Sequence, residues 1–348
     1  MKTSNHTIFL LLSIVMAFTS CNSNGQVLFP ASINGKYGFI NETGKIVIEP
    51  KFDLIHSSRF SEDLCAIKIG DWRNGKWGFI DKNGSIVIKP LFDHVEEFSE
   101  GLACVMIEND SIKKYGFINM SGNYVINPQF DFAFSFSEGL ALIGIGDEDN
   151  MKYGYIDKSG KIVIEPLFDK ADIFSEGLAA VELDKQKGYI DKTGKMVITI
   201  QCDANCRFNE GRARIGIGGF LDIKWGFIDN TGKVIIPPQF EDADDFSEGL
   251  AEVRINYDDK CGYIDRDGNW VISPQFEVAY RFSEGLAAIS FNKRGEEKFG
   301  FIDKTGNIVI VPEYDNVDLR FLNGLAMVGL GHSGYYIDRK GNTINIHY

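Results

Sequence analysis

Most of this chain is one short unit repeated nine times, and this repetition limits the fold more than any other feature. The unit is clearest in residues 76–90, KWGFIDKNGSIVIKP, and in residues 224–238, KWGFIDNTGKVIIPP. Its isoleucine recurs at a mean interval of about 37 residues, at Ile40, Ile80, Ile118, Ile156, Ile190, Ile228, Ile264, Ile302 and Ile337. Because no linker or change of composition interrupts the series, we expect one repeat array and not several independent domains.

A second block, Phe-Ser-Glu-Gly-Leu-Ala, alternates with the first and completes the repeat. It begins at Phe98, Phe136, Phe174, Phe246 and Phe282, with altered copies from Phe60, Phe208 and Phe321. This alternation and the pairs Trp77-Gly78 and Trp225-Gly226 closely resemble the WG-repeat family, from about Asn34 to Tyr348. Other residues replace the tryptophan at Tyr37, Tyr115, Tyr153, Phe299, Cys261 and Lys187, and the last copy reads Gly334-Tyr335. The resemblance implies a bacterial, strand-rich repeat protein and implies no particular activity.

The local sequence of each repeat predicts a three-stranded antiparallel meander. Strands over 76–81 and 85–89 flank a turn whose last residue is glycine in all nine copies, because a Cβ would clash there at positive φ. Pro90 lacks the N–H that a sheet ladder needs, so we expect it to close the second strand. A third strand is predicted over 102–107. Residues 92–98 are interpreted as a turn or short helical loop, because their apolar positions lie three apart.

The connection from the third strand to the next repeat varies in length only by even numbers. From the leucine of Gly-Leu-Ala to the next Trp-Gly glycine it measures 14, 12 or 10 residues. Since side chains alternate between the faces of a strand, lengthening a hairpin by pairs preserves which of them face the core. We therefore expect the third strand to form an antiparallel hairpin of variable reach with the first strand of the next repeat.

Both faces of the predicted strands are apolar, since Trp77 and Phe79 lie on one side and Ile80 on the other. Neighbouring repeats must cover both faces, so an isolated repeat is not expected to fold. The predicted fold class is all-β, a curved array of about eight to nine stacked repeats. Because eight full units leave an extra hairpin at 37–48, we expect an open, capped superhelix in preference to a closed propeller-like ring.

The N-terminal residues have the features of an export signal. Lys2 precedes an apolar run of 11 residues, Ile8 to Phe18, which is too short to span a bilayer of about 30 Å. The next residues, Thr-Ser-Cys, resemble the lipobox of bacterial lipoproteins, although Phe18 replaces the usual leucine. The resemblance implies acylation of Cys21. Ordinary signal cleavage, which leaves Cys21 as a thiol, is the alternative.

We expect a signal peptide over 1–20, a linker over 21–33 and a WG-repeat β domain over 34–348. The protein is then exported to the cell envelope and anchored by acyl chains, each buried CH₂ contributing about 0.8 kcal/mol. The outer membrane is the expected site, on either its periplasmic or its outer side. The net charge of −13, from 36 basic and 49 acidic residues, argues against nucleic acid as a partner, because phosphate binding needs clustered cations.

No catalytic, cofactor-binding or metal-binding motif stands out. Residues 329–334 match Gly-x-Gly-x-x-Gly but lack the downstream acidic residue of a dinucleotide site, so we interpret them as a hairpin loop. Residues 147–149, Asp-Glu-Asp, lack the spacing of an EF-hand and are interpreted as a solvated loop tip. The scattered histidines are interpreted as loop or surface residues: His6, His56, His94, His332 and His347.

Two carboxylates recur with the repeat and are interpreted as structural. One is the glutamate of Ser-Glu-Gly, at Glu100, Glu138, Glu176, Glu248 and Glu284. The other is the aspartate after the isoleucine, at Asp81, Asp157, Asp191, Asp229, Asp265, Asp303 and Asp338. An active site is usually singular, so turn capping and hydrogen bonds to local backbone amides explain acids that recur in this way.

Five cysteines follow Cys21, at Cys65, Cys104, Cys202, Cys206 and Cys261. Cys202 and Cys261 replace aromatic residues of the repeat, so we expect both to be buried as apolar substitutes. Cys202 and Cys206 are near enough in sequence to form a disulfide in an oxidising envelope, and the sequence leaves this pairing open.

Two classes of function remain. The preferred hypothesis is a non-catalytic interaction scaffold without a cofactor, whose partner is another protein or an envelope glycan. Its partner binds to variable loops, because insertions in repeat proteins gather on one face. These loops are Gly70–Gly75, Glu108–Lys113, Gly146–Met151, Gly216–Ile223, Tyr257–Asp259 and Asn292–Glu297. The alternative is a carbohydrate-binding module or a hydrolase-like enzyme that uses carboxylates and the aromatics Trp72, Tyr257 and Trp270.

Overall fold

The computed structural model describes residues 26–347 except 58, 110, 111, 148, 220, 221, 294 and 332. The predicted signal peptide and Cys21 lie outside the described residues. The described residues form β-strands joined by turns, which confirms the all-β class. None of them belongs to a helix long and apolar enough to cross a bilayer. Contacts group the described chain into two compact units, residues 26–167 with 344–347 and residues 168–343.

The strands form nine sheets in which strands that follow one another in sequence are neighbours. Sheet 1 has three strands, β1 (Phe29–Ile33), β2 (Lys36–Ile40) and β3 (Ile46–Phe52). Sheets 2 to 4 have four strands each: β4 (Leu54–Ile55), β5 (Cys65–Ile69), β6 (Lys76–Ile80), β7 (Ile86–Phe92); β8 (His94–Val95), β9 (Leu102–Asn109), β10 (Ile112–Asn119), β11 (Tyr124–Phe130); β12 (Phe132–Ser137), β13 (Leu140–Ile145), β14 (Lys152–Ile156), β15 (Ile162–Phe168).

Sheets 5 to 9 are also four-stranded. Their strands are β16 (Lys170–Ala171), β17 (Ala179–Leu183), β18 (Gln186–Ile190), β19 (Met196–Ile200); β20 (Ala204–Asn209), β21 (Arg212–Ile217), β22 (Lys224–Ile228), β23 (Val234–Phe240); β24 (Asp242–Ala243), β25 (Ala251–Arg254), β26 (Cys261–Ile264), β27 (Trp270–Phe276); β28 (Val278–Ala279), β29 (Leu286–Lys293), β30 (Glu296–Asp303), β31 (Ile308–Tyr314); β32 (Asn316–Val317), β33 (Leu325–Leu330), β34 (Ser333–Asp338), β35 (Thr343–Ile344).

The predicted three-stranded meander lacks one strand, because each four-stranded sheet begins with an additional strand. In sheet 3 this strand is β8, where His94 pairs with Met106 and Val95 with Val105 of β9. The prediction of a turn over 92–98 was wrong because the strand is only two residues long and irregular backbone follows it. That backbone redirects the chain so that Val95 and Phe98 are both buried, which imitates helical spacing. At the N-terminus, β1 pairs with β2, so the first strand lies within the segment assigned to a linker over 21–33.

In sheets 1, 2, 3, 6, 7 and 8 the last strand contains a bulge, and this bulge explains the glycine of the Trp-Gly pair. The prediction that Pro90 closes its strand was wrong, because β7 continues through Pro90 to Phe92 on the sheet edge, where a missing N–H is tolerated. The register shifts between the pairs Trp77–Phe92 and Phe79–Ile88, which pushes the β7 backbone onto Gly78. A Cβ on Gly78 would lie 2.4 Å from the Ile88 carbonyl oxygen and 2.6 Å from the Pro90 nitrogen.

Within each unit, aromatic side chains join neighbouring sheets. Phe79 of sheet 2 packs against Phe98, which enters sheet 3, with ring centroids 4.9 Å apart and an edge-to-face geometry. The same contact recurs within each unit as Phe39–Phe60, Phe117–Phe136, Tyr189–Phe208, Phe227–Phe246, Tyr263–Phe282 and Phe301–Phe321. Burial of one such side chain contributes about 1.5–3 kcal/mol. The expectation that neighbouring repeats complete each other's core is confirmed.

The glycine turns make a second contact between sheets, and it shows how the chain's ends meet. Gly84 has φ 78° and lies on Ile48 of sheet 1, close enough that a Cβ would be 2.7 Å from an Ile48 methyl. Gly44 lies in the same way on residues near the C-terminus, where a Cβ would be 2.0 Å from the Asn345 carbonyl oxygen. Lys45 and His347 also form a parallel bridge, in which His347 N–H donates to Gly44 O at 2.9 Å.

This contact corrects the expected open superhelix. In an open array the first repeat has no preceding partner, whereas sheet 1 is bonded to the last residues of the chain. Nine sheets with this connection form a closed β-propeller whose blades have four strands, apart from the three-stranded sheet 1. The extra hairpin at 37–48 is therefore two strands of a ninth blade and not a cap.

Gly78→Ala should lower the free energy of unfolding by about 3 kcal/mol, because the atoms that meet the new Cβ belong to backbone and cannot move aside. Gly139→Ala is the matched comparison, since Gly139 has φ 89° with open space around it. Its cost of about 1–2 kcal/mol comes from backbone strain alone. Urea denaturation measures both variants, and equal losses would contradict the role given to the bulge.

Deletion of residues 344–348 should lower the free energy of unfolding by about 1–3 kcal/mol, because sheet 1 then loses the hydrogen bonds made by the backbone of His347. His347→Ala keeps these backbone bonds and is the control. Thermal melting and urea denaturation compare the three proteins. A truncated chain as stable as the intact one would contradict the closure.

Candidate functional site

The Ser-Glu-Gly-Leu segments form tight turns between the first and second strands of the sheets. In sheet 3, Ser99 and Leu102 exchange both backbone hydrogen bonds across Glu100 and Gly101. Both residues of the turn have positive φ, 56° at Glu100 and 86° at Gly101. A non-glycine residue pays about 1–2 kcal/mol in this conformation, so other contacts must hold Glu100 there.

These contacts come from the next sheet. The Glu100 carboxylate accepts the N–H of Gly139, at 3.1 Å, and the Ser99 hydroxyl donates to Phe136 O at 2.8 Å. The glutamate contact recurs as Glu62–Gly101, Glu176–Gly211, Glu210–Gly249, Glu248–Gly285 and Glu284–Gly324. The glutamates were expected to accept local amides; they do accept amides, but those of the following repeat. Sequence spacing does not reveal this because it requires two turns to lie side by side.

The aspartate turns between the third and fourth strands lie at the same end of the sheets. Asp81 Oδ1 accepts the N–H groups of Asn83 and Ser85, both at 2.9 Å, and these hydrogen bonds lower the pKa of Asp81, the Ser85 amide most strongly. The predicted capping role is confirmed. Lys158 in the equivalent turn of sheet 4 donates to Glu100, as Arg266 does to Glu210 and Lys304 to Glu248. We call this end of the sheets, in each unit, the turn end.

The hairpins between the second and third strands therefore lie at the opposite end, which we call the hairpin end. In each unit their bases are fixed by an acid that bonds a lysine and a backbone N–H. Asp315 accepts from Lys298 Nζ and, through its second oxygen, from Gly331 N, both at 2.5 Å. The lysine contact recurs as Lys36–Asp53, Lys76–Asp93, Lys114–Asp131, Lys224–Glu241 and Lys260–Glu277.

The hairpin tips beyond these bases differ from sheet to sheet. Gly70–Gly75 places Trp72 in solvent with 71% of its surface exposed, and the Arg73 guanidinium lies 4.6 Å from the indole centroid. The Lys68 ammonium donates to Trp72 O at 2.7 Å, which holds the tip against its own sheet. Beside it lies an open pocket of about 400 Å³, lined by Ile69, Gly70, Asp71, Asn74, Gly75, Lys76 and Pro90.

The three aromatic residues named from the sequence do not all lie at the same end of the sheets. Tyr257 lies in a hairpin tip of sheet 7 and is 62% exposed. Trp270 begins β27 of the same sheet, beside the aspartate turn, and packs edge-on against Phe240 at 6.4 Å. Trp270 therefore lies at the turn end and does not share a surface with Tyr257. Sequence analysis did not single out Ile112, which is 62% exposed at the sheet 3 hairpin.

A cluster of two histidines and a glutamate lies on sheets 2 and 3, where the sequence showed only scattered histidines. His56 follows β4, His94 begins β8 and Glu96 follows it, and their ligand-capable atoms all lie within 4.8 Å of one another. Burial lowers the pKa of His56, which favours its neutral imidazole. Comparison of the repeats could have revealed this cluster, because His56 and Glu96 occupy equivalent positions in consecutive sheets. The backbone N–H of His56 donates to Ala66 O, and that of Glu96 donates to the equivalent Cys104 O.

The remaining motifs have structural roles in the described residues. Gly329 and Gly334 pair across the β33–β34 hairpin, which confirms the hairpin interpretation of residues 329–334. Cys202 and Cys206 are free thiols, as are the other described cysteines. Cys261 is buried as expected, whereas Cys202 is half-buried at the edge of a core cluster. Asp147 caps its own loop by accepting from Asn150 N at 3.0 Å.

One buried polar group was not foreseen. Glu252 in β25 is buried, and this burial raises its pKa to about 7. Burial likewise raises the pKa of the neighbouring Cys261 thiol to about 12, and Arg254 donates to that sulfur at 2.8 Å. A thiol with a raised pKa is a poor nucleophile at neutral pH, so this group does not resemble an activated cysteine site.

A protein-family model described as "WG containing repeat" matches residues 37–71, 77–109, 115–147, 153–186, 188–219, 225–259, 262–294 and 299–331. Comparison with curated proteins gives no match. Among solved structures, the β-propeller domain of the Trilobed protease from Pyrococcus furiosus is 9% identical, with a TM-score of 0.45, over 86% of this chain and 96% of that domain.

Two further similar structures are much longer than this chain. Acylaminoacyl peptidase from Pyrococcus horikoshii, in its orthorhombic crystal form, is 9% identical, with a TM-score of 0.44, over 84% of this chain and 52% of that one. Tricorn protease is 14% identical, with a TM-score of 0.29, over 91% of this chain and 39% of its own length. Similarity at this level does not extend to the activities of those proteins.

Asp315→Asn tests how the hairpin bases respond to pH. The Lys298 ammonium, followed by the Gly331 N–H, holds the pKa of Asp315 below its ordinary value of 3.8. Such a carboxylate stabilises the folded state above its ordinary pKa and loses that contribution as the pH falls through the folded value. The Tm difference between the wild type and Asp315→Asn should therefore be constant above about pH 5 and vanish well below pH 3.8.

Thermal melting between pH 7 and pH 2 measures this difference. Asp258→Asn, at an exposed hairpin tip, is the control and should leave Tm unchanged throughout. A difference that persists in acid would mean that the Asp315 charge does not fix the hairpin.

Proposed function

This chain belongs to the WG containing repeat family, and we propose that it is a non-catalytic binding scaffold whose partner binds at the hairpin end. The observation that carries the proposal is the contrast between the two ends of the sheets. At the turn end, the recurring glutamates and aspartates are bonded to backbone amides. At the hairpin end, salt bridges fix the bases while the tips vary.

Variation on a rigid frame is typical of a binding surface. The tips range from two residues in sheet 1, Asn34-Gly35, to six residues in sheet 2, Gly70–Gly75. All length changes preserve the strand register, because the second and third strands remain paired up to the base of each hairpin. Partner contacts can therefore change from repeat to repeat at little cost to the core.

The exposed tip residues indicate the partner's chemistry. Trp72 and Tyr257 are large, amphipathic and mostly exposed, and such side chains are enriched in protein interfaces. Another protein is therefore the proposed partner. An envelope glycan is the second candidate, because the indole of Trp72 offers an apolar surface to the C–H groups of a sugar ring. The net charge of −13 argues against nucleic acid.

The absence of catalysis is part of the proposal. Support comes from the recurring carboxylates: each type performs the same structural task in successive sheets, whereas an active site needs a singular arrangement.

Localisation is also part of the proposal, namely export to the envelope and anchoring at the outer membrane through acylated Cys21. Its support is the sequence of the N-terminal residues alone.

Replacement of the six residues Gly70–Gly75 by Asn-Gly, the tip of sheet 1, should abolish partner capture. The change is even in length, so the strands keep their faces and the expected Tm is that of the parent within a few degrees. Crosslinking pulldown from native envelopes measures capture. The control replaces the two-residue tip Asp184-Lys185 by Asn-Gly, which alters the sequence but not the length of a hairpin.

Full capture after shortening of Gly70–Gly75, Gly146–Met151 and the sheet 7 hairpin together would overturn the proposal. Binding to a glycan array that Trp72→Ala removes would favour the glycan over a protein partner. The same envelope fractions test the anchor, because Cys21→Ser should release the protein from the membrane fraction.

A further inference from the structure

Two consecutive sheets bring three metal-ligating side chains to one place. His94 Nε2 lies 3.0 Å from Glu96 Oε1, and the rings of His56 and His94 have centroids 5.7 Å apart. The three ligand-capable atoms lie within 4.8 Å of one another. Within the described residues, no other three side chains of His, Cys, Asp or Glu are grouped in this way.

The backbone fixes this arrangement. His94 lies in β8 and Glu96 follows the end of this strand, and the contact between His94 Nε2 and Glu96 Oε1 shows that both side chains lie on the same side of the segment. His56 occupies the position in sheet 2 that Glu96 occupies in sheet 3, since each donates its N–H to the second strand of its own sheet, to Ala66 O and Cys104 O. The stacking of the two sheets therefore places His56 opposite the pair on sheet 3.

Two neighbouring side chains, Trp77 and Glu97, lie beside the cluster. The Trp77 ring lies edge-on to His56, with centroids 5.6 Å apart. The adjacent acid, Glu97, is bonded to the Arg59 guanidinium at 3.3 Å. This ion pair gives Glu97 a cation of its own and leaves Glu96 as the carboxylate that faces the histidines. All three members of the cluster are half-buried.

We propose that His56, His94 and Glu96 bind one divalent transition-metal ion of the Zn²⁺ class and thereby link sheets 2 and 3. Two imidazoles and one carboxylate are a donor set that Zn²⁺ uses, with a fourth position left for water. Zn²⁺ ligand atoms lie about 2.0–2.2 Å from the ion, hence about 3.3–3.6 Å from one another in a tetrahedron. The ligand-capable atoms lie within 4.8 Å of one another, so metal binding would draw the three side chains closer together. Ca²⁺ and Mg²⁺ require more oxygen ligands than the single carboxylate supplies.

The site is particular to this pair of sheets. At the position of His94, the other short strands have Leu54, Phe132, Lys170, Ala204, Asp242, Val278 and Asn316. No two consecutive sheets among these repeat the histidine pair. The proposal is thus a feature of this chain's own residues and does not depend on the binding function of the hairpins.

The test uses the purified full chain with Co²⁺ as a spectroscopic probe and Zn²⁺ as its competitor. We expect one Co²⁺ per chain, with a visible d–d spectrum that one equivalent of Zn²⁺ removes. His94→Gln and Glu96→Gln should each weaken binding at least about 100-fold, since loss of a supporting group alone costs 10- to 100-fold. Zn²⁺ should raise the Tm of the wild type and not that of the variants.

Asp242→Asn is the matched control, because Asp242 occupies the His94 position in sheet 7. It should bind Co²⁺ as the wild type does. The metal-free Tm of the glutamine variants should equal that of the wild type, which separates loss of a ligand from loss of folding. The proposal is overturned if the chain retains no metal, if both glutamine variants bind as tightly as the wild type, or if Asp242→Asn weakens binding equally.

Discussion

Contact between consecutive sheets holds this fold together, because no sheet covers both of its apolar faces by itself. Phe79 packs on Phe98, Gly84 lies on Ile48, and Glu100 accepts an amide of the next sheet. Each contact is small, but each recurs around the array with the repeat. The strained φ of the turn glutamates persists for the same reason, since the next sheet supplies the hydrogen bonds that stabilise it. The bridge between Lys45 and His347 gives sheet 1 the preceding neighbour that it would otherwise lack.

Because the contacts of the glycine and glutamate turns lie at one end of the sheets, the two ends differ in how freely their residues can vary. The turn end must keep its sequence, because its carboxylates and glycines make contacts between sheets. The hairpin end is under no such restriction beyond the salt bridges at the bases in sheets 1, 2, 3, 6, 7 and 8. Residues such as Trp72 and Tyr257 therefore extend from a frame that tolerates them. The proposed binding surface lies where the fold does not restrict the sequence, at the hairpin tips. This lack of restriction is the physical basis of the proposed function.

The histidine cluster arises from the same stacking. His56 and His94 are scattered in the sequence, but consecutive sheets place equivalent backbone positions side by side. Residues about one repeat apart then become neighbours, as His56 and Glu96 do. A pattern search along the chain misses such a site because its ligands follow no local spacing. Comparison of the repeats strand by strand is the signal that could have found it.

The sequence by itself determined the all-β class, the nine-fold repetition, the glycine turns, the capping aspartates and the even-numbered hairpins, because each depends on local backbone geometry or on the two-residue period of a strand. Only the tertiary structure decided the additional first strand of the four-stranded sheets, the course of β7 through Pro90 and the closure of the array. The two residues of β8 gain their pairing from β9, and the Pro90 bulge is accommodated by Gly78 on the adjacent strand. Closure depends on the angle between neighbouring sheets, which no single repeat encodes, and becomes visible only where His347 meets Gly44.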